Sequence, residues 1–185
     1  MSLRELLVRH QDAVAKRWLD KTLATYHRDS AAFLAKGKDP FANPVGTTLK
    51  KGIDDLLGAM LDDDQGPTEL CAALEPMVKI RSVQEFSPAR AVAFVFSLKR
   101  AVREELGESL AEPSLAAELA AFDDEVDQIA LFAFDVYTKC RDRIAEVRIN
   151  DVKRRVSGLM RRMGIGLDDL EKLDPTGGSG ADAGS

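Results

Sequence analysis

Apolar residues recur at steps of three and four through five stretches of the chain, and this spacing predicts an all-α protein. Leu3, Leu6, Leu7, Val14, Trp18, Leu19 and Leu23 form the first stripe, with His10 in register among them. Ser2 is placed to cap it, and the helix is expected to end before Asp29-Ser30. A short turn of helix through Ala31 to Ala35 follows, then a loop at Gly37-Lys38-Asp39-Pro40. Asn43-Pro44 restarts the chain as cap and first helical residue, and Leu49, Ile53, Leu56, Leu57, Met60 and Leu61 carry the second helix. It ends at Asp62-Asp63-Asp64-Gln65-Gly66, since carboxylates suit a helix C-terminus badly. A third helix spans about Pro67 to Val83, with Pro76 removing one backbone bond and bending it. Ser87-Pro88 then opens a fourth helix that Gly107 closes. From Ala91 to Leu98 that helix is apolar nearly all round, which predicts a central buried helix with Phe96 in the core.

The last helix starts near Pro113-Ser114 and runs to Met163, about 50 residues and about 75 Å if unbroken. Leu119, Phe122, Val126, Ile129, Ala133, Val136 and Cys140 keep its stripe; Ile149, Val152, Val156, Leu159 and Met163 resume it after a slip around Ile144 to Val147. The first part is expected to pack on its own domain and the second to project. Charge divides the helix as well. Glu118, Asp123, Asp124, Glu125, Asp127 and Asp135 meet no basic residue in the first part, whereas Lys139, Arg141, Arg143, Arg148, Lys153, Arg154, Arg155, Arg161 and Arg162 dominate the second. Complementarity to the helix macrodipole explains part of this. A strip of Arg148, Ile149, Val152, Lys153, Arg154, Val156, Leu159 and Met163 is the candidate interaction surface, for an acidic partner or a second copy of the chain.

A chain of 185 residues fits one domain with appendages, and 45% hydrophobic with 31% charged residues is ordinary for a folded protein. The net charge of −5 disfavours nucleic acid as the main partner. The basic strip has no interleaved aromatics, which points the same way. The longest apolar run, Ala91 to Phe96, is far too short to cross a bilayer, and no signal-peptide stretch is seen, so a cytoplasmic location without membrane insertion is expected. Cys71 and Cys140 are lone thiols, read as buried and reduced, with a redox role left open.

Chemistry is hard to place on this sequence. The only histidines are His10 and His27, and no Glu-x-x-His or calcium-loop spacing occurs, so no metal or other cofactor is expected. His10 reads as a half-buried, satisfied histidine. There is no nucleophile elbow and no glycine-rich phosphate loop. Asp123 and Asp127 share a helix face, but on an acidic surface such a pair reads as solvated. No catalytic residue is named and no enzyme is expected.

Trp18 in the first helix, Asn43-Pro44, Ile80-Arg81 with Phe86-Ser87-Pro88, the apolar Val92 to Leu98 stretch, and Asp135-x-Tyr137 with Arg141 together form a pattern over residues 1–148. In these positions the chain resembles the N-terminal domain of the RsbT co-antagonist family, RsbRD. The resemblance implies a non-haem, globin-like helical domain that senses or relays a signal, commonly as a dimer whose last helices pass movement onward. Such domains usually precede a STAS or helix-turn-helix output domain; neither pattern follows Met163, so the expectation is a stand-alone member acting through an unidentified regulatory protein.

The expected organisation is a helical domain over residues 1–148, a helix extension over 149–163 and a flexible tail over 164–185. The leading expectation is a non-catalytic cytoplasmic regulatory or adaptor domain that works by protein–protein contact in stress-response signalling and forms a homodimer. Parallel exit helices would set Arg148 and Lys153 of two copies against each other; antiparallel ones would bring Asp123 and Asp124 near Lys153 and Arg154. The alternative is a small-ligand carrier with an apolar pocket among Trp18, Tyr26, Phe94 and Tyr137.

Overall fold

The computed structural model describes residues 1–36, 41–84 and 86–162. The expected loop at 37–40, Met163, the closing Gly164-Ile165-Gly166 and the tail all lie outside them. Among the described residues there are seven α-helices and no strand: α1 (Leu3–Arg9), α2 (Gln11–Leu23), α3 (Arg28–Lys36), α4 (Pro44–Met60), α5 (Pro67–Val83), α6 (Pro88–Leu106) and α7 (Ala116–Arg162). The chain divides into two units after Arg141.

The helix starts follow their capping residues. Ser2 Oγ accepts from the Glu5 amide at 3.2 Å while Glu5 accepts from the Ser2 amide at 2.8 Å, a reciprocal capping box. Asn43 Oδ1 accepts from the Gly46 amide at 3.0 Å, and its Nδ2 donates to the Leu34 carbonyl at 2.8 Å, so one side chain starts α4 and holds the end of α3. Ser87 Oγ accepts from the Arg90 amide, and Gly107, at φ +44°, closes α6 in a backbone region that favours glycine.

Two expectations near the N-terminus are corrected. The first helix is broken at His10, whose backbone (φ −105°, ψ 13°) leaves the helical region and separates α1 from α2. Its ring Nδ1 lies 3.3 Å from Glu105 Oε1 of α6, a tertiary partner that periodicity cannot reveal. The short turn expected over Ala31 to Ala35 is a nine-residue helix, α3.

In the unit ending at Arg141, α2 packs against α6 and α4, α4 against α5, and α5 against α6. Val14, Trp18, Leu49, Ile53, Leu56, Met77, Val78, Phe94, Ala101 and Val126 are among the fully buried residues. Gly52 allows α4 and α5 to close up, because a Cβ there would sit 2.5 Å from Met77 Cγ. The description of α6 as buried all round is also corrected. Ala91, Val92, Phe94, Val95, Leu98, Ala101 and Val102 face inward, but Ala93 faces solvent and Phe96 is 46% exposed, with Lys99 Nζ 5.9 Å from its ring centroid.

Charged residues align α6 with its neighbours. Glu105 meets Arg17 at 2.5 Å as well as His10, and Lys21 reaches Glu104 at 2.6 Å, joining α2 to α6. The hydrogen bond from Arg17, then that from His10, holds the Glu105 carboxyl below its ordinary range. On the other side Lys99 binds Asp127 at 2.6 Å and Arg103 donates to Asp123 at 3.0 Å. The Asp123 and Asp127 pair is therefore engaged as a clamp from α7 onto α6. Each exposed pair contributes little energy, yet a row of them fixes which turns lie opposite.

Burial decides the cost of truncating the two aromatic residues. Trp18→Ala is expected to lower stability by about 3–5 kcal/mol, whereas Phe96→Ala, at a solvent-facing position, is expected to cost less than about 1 kcal/mol. Urea unfolding of both variants checks this.

Candidate functional site

On α5 the inward stripe reads Leu74, Met77, Val78 and then Arg81, a charged residue in a core register. Arg81 is fully buried. Its Nε donates to the Ala91 carbonyl at 3.0 Å, and its Nη2 donates to the Arg90 carbonyl at 2.8 Å and to Thr25 Oγ1 at 3.0 Å. Aromatic faces supply the rest of its surroundings. The guanidinium carbon lies 4.5 Å from the Phe86 ring centroid, 5.2 Å from that of Tyr26 and 5.3 Å from that of Phe94, within cation–π range of all three.

No carboxylate among the described residues forms an ion pair with this cation. Two buried polar atoms beside it, Arg81 Nη1 and the Tyr26 hydroxyl, lack a hydrogen-bond partner. Burial lowers the Arg81 pKa from its ordinary value, and burial raises that of the Tyr26 phenol, with the Arg81 charge partly offsetting the rise. Unsatisfied buried donors call for a physical explanation, and they mark this corner out.

The same corner gathers α2, α5, α6 and α7. Tyr26 and Phe86 meet edge to face at 5.2 Å, and the Tyr137 hydroxyl of α7 donates to the Phe86 carbonyl at 2.7 Å. Arg141 Nη1 reaches the Ser82 carbonyl at 3.4 Å. Beneath them Trp18 stacks on Phe94, centroids 6.4 Å apart, and its indole Nε1 donates to the Phe94 carbonyl at 2.7 Å.

The candidate pocket residues are thus placed in two ways. Trp18 and Phe94 are fully buried against each other, while Tyr26, half-buried, and Tyr137, buried, both contact the Phe86 residue that covers Arg81. An open pocket of about 460 Å³ adjoins them, lined by Thr25, Tyr26, His27, Gln84, Phe86 and Arg90; of the four, only Tyr26 lines it. In the sequence Arg81 stands in the Ile80-Arg81 pattern with no role assigned to it. Its position seven residues after Leu74, in line with Val78, was the available signal.

The interaction strip lies on residues 142–162 of α7, apart from Met163. Ile149, Val152, Val156 and Leu159 are 53%, 59%, 49% and 58% exposed, and Arg148, Lys153 and Arg154 are exposed beside them. Cys71 and Cys140 are free thiols and half-buried, less enclosed than expected. Among the described residues no cluster of His, Cys, Asp and Glu could hold a metal ion, and no helix is long and apolar enough to cross a membrane.

The family model of the RsbT co-antagonist protein rsbRD N-terminal domain matches residues 12–152. The chain belongs to that family. The family is one of regulatory signalling domains. The match takes in the whole Arg81 corner and the start of the exposed strip. Neither a curated protein nor a solved structure matches the chain.

Lysine cannot reproduce the planar fork that serves Ala91, Arg90 and Thr25 at once. Arg81→Lys is expected to cost about 2–4 kcal/mol in chemical denaturation, with three acceptors losing their charged donor. A cost within experimental scatter would mean that the fork contributes little to this fold.

Proposed function

We propose that this RsbRD N-terminal domain is a non-catalytic regulatory or adaptor module. It acts by protein–protein contact and forms a homodimer through the C-terminal part of α7. The observation that carries the reading is the strip itself: Ile149, Val152, Val156 and Leu159 recur at steps of three, four and three, the spacing of a two-helix seam, and all four are about half exposed or more. A seam of this kind is incomplete until a second helix covers it.

Parallel pairing is the better arrangement. Antiparallel pairing relies on Asp123 and Asp124 to answer Lys153 and Arg154, yet Asp123 is held by Arg103 of its own chain. In the parallel arrangement Arg148 and Lys153 take flanking positions that face the other copy with like charge. Such a dimer is weakened by its own flanks, a property suited to a module that exchanges one copy for an acidic partner protein.

Gel filtration with light scattering tests this. The chain is expected to be dimeric at micromolar concentration and Val152→Glu with Val156→Glu monomeric; a strictly monomeric parent chain contradicts the proposal. Lys153→Glu sets a carboxylate against Arg148 of the second copy and is expected to tighten the dimer about twofold to tenfold. Weaker association in that variant would contradict the parallel arrangement.

A further inference from the structure

Behind two walls of the pocket formed by Thr25, Tyr26, His27, Gln84, Phe86 and Arg90 lies the Arg81 guanidinium, against the Tyr26 and Phe86 rings. Its Nη1 and the Tyr26 hydroxyl are both buried, and neither has a partner in full hydrogen-bond geometry among the described residues, although the two groups attract each other. Arg90 stands exposed on the rim, donating to the Thr25 carbonyl at 2.9 Å with its guanidinium 5.1 Å from the Phe86 centroid. Phe86 is thus flanked by two cations. Neither Arg81 nor Arg90 is answered by a carboxylate among the described residues, although the chain is acidic overall.

We propose that this pocket binds a small molecule with one oxyanion head, a carboxylate or a phosphate, on an apolar body. Arg90 attracts the head, and a turn of the Tyr26 phenol away from Arg81 exposes the free Nη1 to it. With Nε and Nη2 of Arg81 engaged by Ala91, Arg90 and Thr25, the Nη1 of Arg81 and the exposed Arg90 guanidinium are the charged N–H donors that such an oxyanion would meet. The apolar body rests on Phe86, and the pocket, about 460 Å³, has the size of small-molecule sites in general.

Occupancy has a route outward, because the Phe86 carbonyl accepts from Tyr137 and the Ser82 carbonyl from Arg141, both on α7. A ligand that rests on Phe86 therefore bears on a residue bonded directly to α7. This consequence rests on the regulatory reading given above; the binding itself does not.

Isothermal titration of the full chain with benzoate, phenyl phosphate and uncharged benzyl alcohol provides the test. Saturable binding of either anion, with none of the alcohol, is expected, and the tighter anion identifies the head. Arg90→Gln, an exposed change whose fold circular dichroism verifies, is expected to weaken binding about tenfold, while Arg148→Gln leaves it unchanged. Absence of saturable anion binding, equal binding of the alcohol, or full affinity in Arg90→Gln would overturn the site. Anion binding by a chain that stays monomeric would keep the site and reject only the dimer reading.

Discussion

A guanidinium buried without a counter-ion is the constraint around which this domain is organised. Removing a charge from water carries a cost of several kcal/mol, so Arg81 must be answered by whatever the fold can bring to it. The fold brings backbone carbonyls from the first turn of α6, the Thr25 hydroxyl just beyond α2, and three aromatic rings. None of these acceptors comes from α5 itself. The side chain therefore ties the end of one helix to the start of the next and to the end of a third. Through Phe86 and Ser82 the tie extends to α7, the helix whose later residues carry the exposed strip.

Charge on α7 is divided by use. Asp123 and Asp127 are engaged with Arg103 and Lys99 of α6, so part of the acidic stretch works within the fold. Of the basic stretch Arg141 reaches the Ser82 carbonyl, but beyond it Arg155 pairs with Asp151 one turn away, and Arg148, Lys153 and Arg154 have no ion pair among the described residues. Macrodipole complementarity accounts for the sign of both ends but not for the apolar seam between the basic residues. That seam gives the regulatory reading a surface to act through.

Helix starts were readable because capping is local chemistry. Ser2, Asn43 and Ser87 each accept the amide that their position predicts, and α4, α5 and α6 start where Pro44, Pro67 and Pro88 stand. What the sequence hid was tertiary. His10, where the first helix breaks, meets Glu105 some 95 residues away, and the outward face of Phe96 depends on which side of α6 its neighbours cover. Trp18 and Phe94 stand in the sequence only as candidate pocket residues, with nothing to show that they stack under a cation. The register of Arg81, in line with Leu74 and Val78, is a signal the sequence holds, but its acceptors are not, being two backbone carbonyls and a hydroxyl brought in from other elements.

The most direct test of the central claim is the Arg81 side-chain Nε–H in nitrogen-15 NMR, assigned by its loss in Arg81→Lys. A guanidinium enclosed by carbonyls and aromatic rings should give a ring-shifted Nε–H signal that persists at mildly alkaline pH, because exchange with water requires the corner to open. An Arg81 signal that exchanges as fast as those of the exposed arginines would contradict the account.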